Sequence, residues 1–235
     1  MNHFLRLELS RYVRVIPRFG ATVACSTLMG LYFFTFVGRF DDSSDSAMLR
    51  EPAAVITLAL TVAFCVVVIY GTVVYQRFIV SDYIGNRRIQ LYSYPGGRSP
   101  LFLAKNTAYA LAIGGSAAVG FVLSTAVFLT FESFIPVSDA HVTARTWSAT
   151  LTMVACITLL TLSAITIAGF IGVRRRSTVS SIVTAVILIV LFGNAVAMSL
   201  NAPPWVPWTA TVGSMALALS LLAVQNLAIQ QDEVL

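Results

Sequence analysis

Six apolar stretches, each about as long as a bilayer is thick, dominate this sequence and restrict it to one class of fold. A helix that crosses a membrane needs about 20 consecutive, mostly apolar residues. Only 11% of the 235 residues are charged and 57% are apolar, whereas soluble domains carry about 25% charged residues. The sequence therefore predicts an all-α integral membrane protein with six transmembrane helices, at residues 19–38, 53–76, 102–131, 148–173, 178–200 and 209–229.

The arginine positions predict the orientation of the spans, because basic residues accumulate on the cytoplasmic side of a membrane. If the N-terminus is cytoplasmic, twelve of the fifteen basic residues lie on that side and three lie on the other. Both termini are therefore expected in the cytoplasm, with the basic residues near anionic lipid headgroups rather than nucleic acid. The twelve are Arg6, Arg11, Arg14, Arg18, Arg77, Arg87, Arg88, Arg98, Lys105, Arg174, Arg175 and Arg176, and the three are Arg39, Arg50 and Arg145.

Residues 1–18 are predicted to form an amphipathic helix ahead of the six-helix transmembrane domain of residues 19–235. Apolar side chains recur with a helical period along one face, at Leu5, Leu9, Tyr12 and Ile16. Such a helix lies in the membrane interface with its arginines toward the headgroups. Pro17 and Gly20 are expected to separate it from the first span. Two interpretations stay open: a juxtamembrane anchor, or the elbow helix of a transporter that also contacts a cytoplasmic partner.

Several kinds of active site lack the residues they need. The single lysine, Lys105, follows Ala104, so the Gly-Lys-Ser/Thr sequence of a phosphate-binding loop does not occur. The three cysteines are isolated and the two histidines are far apart, which disfavours a metal site. No charged residue lies deep in a predicted span, which argues against a proton-coupled carrier. The sequence therefore predicts a chain that is not an enzyme and holds no cofactor.

Residues 77–101, between the second and third spans, form the most informative loop. Ser81 or Asp82 can cap a short helix that Pro95 would end. The loop mixes apolar and tyrosine residues with Arg87 and Arg88, a composition typical of protein interfaces. It is therefore either a docking surface for a cytoplasmic protein or a solvated basic loop that only reflects topology.

The same loop resembles a known family. The run from Arg88 to Lys105 resembles the second-to-third-helix loop of half-size ABC permeases of the type-2 exporter superfamily, which includes subunits of antimicrobial-peptide and lantibiotic immunity exporters. That family often has Glu-Leu, then Tyr-Pro, an arginine and a lysine here, and Gln90 stands where it has the acidic residue. The matching positions are Leu91, Tyr94, Pro95, Arg98 and Lys105.

This resemblance implies a function. The loop, with Asp82, Arg87 and Arg88 beside the matching residues, would be a coupling helix seated on a separate ABC ATPase subunit that binds ATP and Mg. A second permease subunit, identical or similar, would complete the pathway for an amphiphilic or hydrophobic substrate such as an antimicrobial peptide. The expected location is the plasma membrane of a bacterium. The alternative is a non-transporting scaffold or sensor subunit that recruits a cytoplasmic protein.

Polar and small residues within the spans allow two interpretations. Ser26, Asn106, Thr161 and Asn194 could line a substrate pathway, but such side chains more often bond within or between helices. Small residues four apart predict close helix contacts, inside the bundle or in a dimer, at Ala164, Ala168 and Gly172 and at Ser116 and Gly120. Residues 193–208 are either a re-entrant piece or a helix end with a tryptophan anchor.

Overall fold

The computed structural model describes residues 2–40, 51–84, 98–134, 143–198 and 205–231, and within these ranges the chain is helical, without strands. A 3-10 turn at Val80–Tyr83 and a π-helical turn at Ala110–Gly114 interrupt the α-helices. The α-helices in this part of the chain are α1 (Asn2–Tyr12), α2 (Ile16–Phe40), α3 (Pro52–Phe78), α4 (Arg98–Tyr109), α5 (Gly115–Phe134), α6 (Ala144–Arg174), α7 (Thr178–Met198) and α8 (Trp205–Gln231).

Five helical stretches are long and apolar enough to cross a membrane, which supports a multi-pass membrane protein. They correspond to the first, second, third, fourth and sixth predicted spans, and their ends lie within a few residues of the predicted ones. The fifth prediction coincides with α7, Thr178–Met198, in which the apolar stretch among the described residues is Thr178–Asn194. Six spans and the orientation of the termini therefore stay predictions.

Helix α6 lies at the centre of the bundle, with α3, α5, α7 and α8 packed around it. Small residues make this close packing possible. Ala164 and Ala168 are fully buried, and a Cβ added at Gly172 would lie 2.8 Å from Cβ of Ser181 on α7. The small residues of this row are therefore used inside the bundle rather than on its surface. Ser116 and Gly120 act likewise between α5 and α2, where the Ser116 hydroxyl donates to the Ile16 carbonyl at 2.7 Å.

Both ends of α6 are fixed by local hydrogen bonds. At its start Thr143 and Thr146 form a reciprocal capping box. At its end the Ser177 amide donates to the Gly172 carbonyl at 3.0 Å, and Arg176 adopts the left-handed conformation with φ of 50°. This is the geometry of a Schellman-type helix end. It turns the chain sharply, so that α7 packs back against α6.

The break between α1 and α2 differs from the expected one. The helix is interrupted at residues 13–15, ahead of Pro17, and Pro17 lies in the first turn of α2. Proline is tolerated there because the first-turn amides have no intrahelical acceptor. The apolar face of α1 rests on the protein: Tyr12 is fully buried, and Leu5 and Leu9 pack against the core.

The third predicted span is a continuous helical stretch of 36 residues, Ser99–Phe134, made of α4, the π turn and α5. A π turn inserts an extra residue and shifts the faces of the helix before and after it. Here α4 contacts α1 and α8, whereas α5 contacts α2 and α6. The π turn thus lets one long helix serve two sets of neighbours.

Candidate functional site

Four charged side chains from three separate elements meet where α3 ends and α4 begins. They are Glu8 and Arg11 of α1, Asp82 of the 3-10 turn and Lys105 of α4, and they are called the charge cluster below. Lys105 Nζ pairs directly with Asp82 Oδ2 and lies 3.8 Å from Glu8 Oε1. Arg11 Nη1 lies 3.1 Å from Glu8 Oε2 and 3.8 Å from Asp82 Oδ2. Every cation in the cluster therefore faces both anions.

The charges of the cluster balance, two against two, and this balance is what burial requires. The Lys105 side chain is only 2% exposed, and those of Glu8 and Asp82 are 12% and 15% exposed. A buried lysine without a partner would be strongly destabilising. Burial tends to lower the pKa of Arg11, but the Glu8 and Asp82 carboxylates outweigh it and leave that pKa raised.

The backbone around Asp82 explains how this carboxylate reaches Lys105. Helix α3 ends at Phe78, and the chain then tightens into the 3-10 turn, in which the Asp82 amide donates to the Ile79 carbonyl at 3.0 Å. Tyr83 packs edge-on against Phe102 of α4, with ring centroids 5.6 Å apart. The turn is therefore held against α4 by an aromatic contact as well as by the ion pair.

Beneath the charge cluster lies a layer of aromatic rings. Tyr12 packs against Phe78 and Tyr109, and Tyr109 packs edge-on against Tyr75. The Tyr109 hydroxyl donates to the Gly71 carbonyl at 2.9 Å, and the Tyr75 hydroxyl donates to Asn106 Oδ1 at 2.5 Å. This layer joins α1, α3 and α4 over more than one helical turn. A displacement of the 3-10 turn would thus be felt by all three helices.

Within the described residues, the Tyr12 hydroxyl alone in this layer of rings has no hydrogen-bond partner. The pKa of Tyr12 is raised well above its usual value of 10, chiefly because burial disfavours the phenolate and next because of the Glu8 carboxylate. Arg11 lies 6.0 Å from the Phe78 ring centroid, and Arg77 lies 5.9 Å from it. These distances are at the outer limit of cation–π attraction.

The structure brings together two of the residues predicted from the loop, Asp82 and Lys105. Asp82 forms an ion pair with Lys105, and the Ser81 hydroxyl donates to the Arg77 carbonyl at 2.8 Å. The capping role predicted for either residue stays a prediction. Arg98 is the first residue of α4. Five of the predicted residues, with the helix expected from Asn86 to Tyr94, lie outside the described residues: Arg87, Arg88, Leu91, Tyr94 and Pro95.

The sequence reasoning missed Glu8 and Arg11 as members of the site. A signal was present, since Glu8 is the single acidic residue among the first 18 and lies three residues before Arg11. The sequence reasoning also did not identify Gln76. The side-chain amide of Gln76 donates to the Thr178 carbonyl at 2.6 Å and to the Ser181 hydroxyl at 2.5 Å. This contact fixes the start of α7 to α3.

The four polar residues proposed for a pathway or for packing lie in different surroundings. Ser26, Thr161 and Asn194 each donate to a carbonyl of their own helix, at 3.0, 2.7 and 2.8 Å. Asn106 is buried and donates to the Phe102 carbonyl while accepting from Tyr75. A pathway role for these residues stays a prediction.

Among the described residues there is no group of three or more histidine, cysteine, aspartate or glutamate residues able to hold a metal ion. The charge cluster and its aromatic layer connect α1, α3 and α4 through ion pairs, ring contacts and hydrogen bonds. No protein-family model, no curated protein and no solved structure matches the chain. The function of the site therefore has to be inferred from its own residues.

Proposed function

We propose that this chain is a permease subunit of an ATP-driven ABC exporter, with ATP and Mg bound by a separate ATPase subunit. The observation that carries the proposal is the Asp82–Lys105 ion pair, which ties the start of the 77–101 loop to the helix that follows it. A loop that docks on an ATPase must be coupled rigidly to the membrane helices if it is to move them. The charge cluster supplies such a coupling.

In this mechanism the ATPase acts on the loop and the charge cluster passes the displacement on. Asp82 pulls on Lys105 and thus on the long α4–α5 helix, while Glu8 and Arg11 carry α1 along. The ion pairs keep the three elements in one rigid unit, as a rigid-body switch between conformations needs. The chain itself performs no chemistry and holds no cofactor.

The proposal includes an arrangement of the whole transporter. The chain spans the plasma membrane of a bacterium six times, with both termini in the cytoplasm and α1 as an elbow helix in the membrane interface. Two permease subunits, identical or similar, form the pathway above two ATPases. The substrate is an amphiphilic or hydrophobic compound such as an antimicrobial peptide, and the uncharged spans favour such a compound over an ion.

Co-purification with a separate ABC ATPase subunit tests the proposal. We expect a variant combining Arg87→Glu, Arg88→Glu, Arg98→Glu and Tyr94→Ala to lose both ATPase association and transport. The matched control is Arg174→Glu with Arg175→Glu and Arg176→Glu, which changes three arginines predicted on the same side of the membrane but in another loop. Retained association and transport in the loop variant would refute the coupling role.

Reconstituted vesicles separate this function from the scaffold or sensor alternative. An exporter should show ATPase activity that rises when its substrate is added, because substrate binding and ATP-driven closure are linked. A scaffold would bind the ATPase without such stimulation. Association without stimulation by any amphiphile tested would therefore favour the scaffold.

A further inference from the structure

A cavity lies between the first turns of α3 and α6, at the opposite end of α3 from the charge cluster. Its volume of about 450 Å³ falls in the range of about 300–1,000 Å³ that small-molecule sites occupy. Its walls are both polar and apolar, and they include Glu51, Thr57, Arg145, Thr146, Thr150 and Met153. Neither the loop nor the charge cluster accounts for it.

The walls of this cavity carry one charge of each sign. Glu51 and Arg145 both line it, and in the described part of the chain neither forms an ion pair. The Glu51 side chain also makes no capping bond to α3, although Glu51 is its N-cap residue. A carboxylate and a guanidinium that line the same cavity suit a ligand group that is itself both cationic and anionic.

The threonines add hydrogen-bond acceptors. Thr57 and Thr150 are almost fully buried, and each donates its hydroxyl proton to the carbonyl four residues earlier, at 2.8 Å. Their oxygens keep lone pairs that can accept from, or solvate, a cationic group. The polar wall is therefore richer in acceptors than in donors, apart from Arg145.

An apolar crevice continues from the cavity into the bundle. Thr57 and Met153 line both, and deeper in the crevice the walls are Leu60, Ile157, Leu160, Phe192 and Val196. Along α6 the crevice extends from Met153 to Leu160, a helical segment about 10 Å long. In this conformation the crevice has free space of about 20 Å³, enough for about one water molecule.

The crevice can widen without breaking the core. Its outer walls are Phe192 of α7 and Pro207 and Ala210 of α8. Both helices pack extensively on α6 but scarcely on each other. Parting them therefore separates few existing contacts and opens the crevice sideways, toward the hydrocarbon of the bilayer.

We propose that this cavity and crevice bind a zwitterionic amphiphile with a single hydrocarbon chain. The headgroup lies between Glu51 and Arg145, its cation toward the carboxylate and its anion toward the guanidinium. The chain passes Met153 and lies between α7 and α8. That this ligand is also the transported compound rests on the proposed function, whereas its binding does not.

Photolabelling of the full chain in lipid nanodiscs, without an ATPase, tests the proposal. The probe is a lysophosphatidylcholine with a diazirine at the end of its acyl chain, and the labelled residues are identified by mass spectrometry. We expect labelling concentrated at residues 153–160 and 192–196, with competition by dodecylphosphocholine at least about fivefold stronger than by dodecyl sulfate or dodecyltrimethylammonium. Equal competition by the singly charged amphiphiles would overturn the zwitterionic specificity.

Two matched variants test the crevice. Ala210→Phe fills it and should reduce labelling at least about fivefold, whereas Ala216→Phe, on an exposed face of the same helix, should not change it. Two further variants test the headgroup site. Arg145→Gln and Glu51→Gln, both at exposed positions, should each weaken the competition by dodecylphosphocholine about fivefold. Uniform labelling of lipid-facing residues, unaffected by Ala210→Phe, would overturn the proposal. Because no ATPase is present, that result would leave the exporter proposal standing.

Discussion

The Lys105 ammonium, 2% exposed, is paired with the carboxylate of Asp82, which lies 23 residues earlier in the chain. The pair joins the first and the last of the residues predicted for the coupling loop, Asp82 and Lys105. The carboxylates of Asp82 and Glu8 surround this buried ammonium and take the place of the water that burial removes. The pair therefore fixes the 3-10 turn to α4.

The first prediction concerns this ion pair. Asp82→Asn should destabilise the protein by about 3 kcal/mol, because it leaves the buried ammonium with only Glu8, 3.8 Å away. Lys105→Met should cost less, since Asp82 is more exposed and keeps Arg11 at 3.8 Å. The double variant should be more stable than Asp82→Asn alone. Thermal unfolding of the purified protein in detergent measures all three.

Arg175→Gln serves as the control for that cycle, because Arg175 is exposed and lies outside the charge cluster. It should leave the unfolding temperature unchanged. If the effects of Asp82→Asn and Lys105→Met simply added in the double variant, the two side chains would not interact, and the role assigned to the pair would be wrong.

The second prediction concerns Gln76, which holds the start of α7. Gln76→Ala removes the donor for both the Thr178 carbonyl and the Ser181 hydroxyl. The turn between α6 and α7, which carries three exposed arginines, should then open more often. We expect faster limited cleavage by trypsin after Arg174, Arg175 or Arg176. Ser181→Ala, which removes only one acceptor, should have a smaller effect, and equal rates in Gln76→Ala and the unmodified protein would contradict this account.

The third prediction compares two buried tyrosines. Tyr12→Phe should leave the stability unchanged or raise it by about 1 kcal/mol, because the Tyr12 hydroxyl is buried without a hydrogen-bond partner among the described residues. Tyr109→Phe should lower it by about 1 kcal/mol, because its hydroxyl donates to the Gly71 carbonyl at 2.9 Å. Thermal unfolding at neutral pH distinguishes them. A larger loss for Tyr12→Phe would mean that its hydroxyl has a partner.

The fourth prediction concerns alkaline pH. The pKa of Tyr12 is raised by burial and by the Glu8 carboxylate, with Asp82 adding to the effect and Arg11 opposing it. The unfolded chain loses this proton near pH 10, whereas the folded protein keeps it to higher pH. The contribution of Tyr12 to stability is therefore present below about pH 10 and lost as the pH rises above it. Tyr12→Phe should lose less stability than the unmodified protein between about pH 9 and about pH 11.

The helices could be predicted from the sequence because a run of apolar residues determines a span by length alone. Lys105 could be placed near the end of a span for the same reason. Its partners could not all be found, because pairing of α1 with α4 depends on how the helices pack and leaves no periodic signal. Asp82 was predicted as a possible helix cap and as a residue of the coupling loop, but its pairing with Lys105 was not, since a sequence does not reveal which of its possible partners an acid meets.

Other features depend on three-dimensional packing in the same way. The π turn at Ala110–Gly114 has no composition that distinguishes it from an α-helix, so one long helix was the natural expectation. The cavity between α3 and α6 was not predicted, because Arg145 was considered only as a basic residue near the end of a span. Small residues four apart, in contrast, correctly indicated close helix contacts, because a small side chain limits the distance between helices directly.

The last prediction tests that packing at Gly169, where α6 passes the ring of Tyr75. A Cβ at this position would lie 2.1 Å from Cε1 of Tyr75, far inside contact distance. Tyr75 is 1% exposed and its hydroxyl is bonded to Asn106, so the ring has no free space into which to move. Gly169→Ala should therefore destabilise the protein by about 1–3 kcal/mol, the usual cost of overpacking a core.

Gly213→Ala is the matched control: Gly213 is exposed within α8, and a Cβ there would meet no atom within 4 Å. Since alanine is the better helix former, Gly213→Ala should leave the unfolding temperature unchanged or raise it. If the two variants were equally stable, α6 and α3 would not approach each other as closely at Tyr75 as the structure has them.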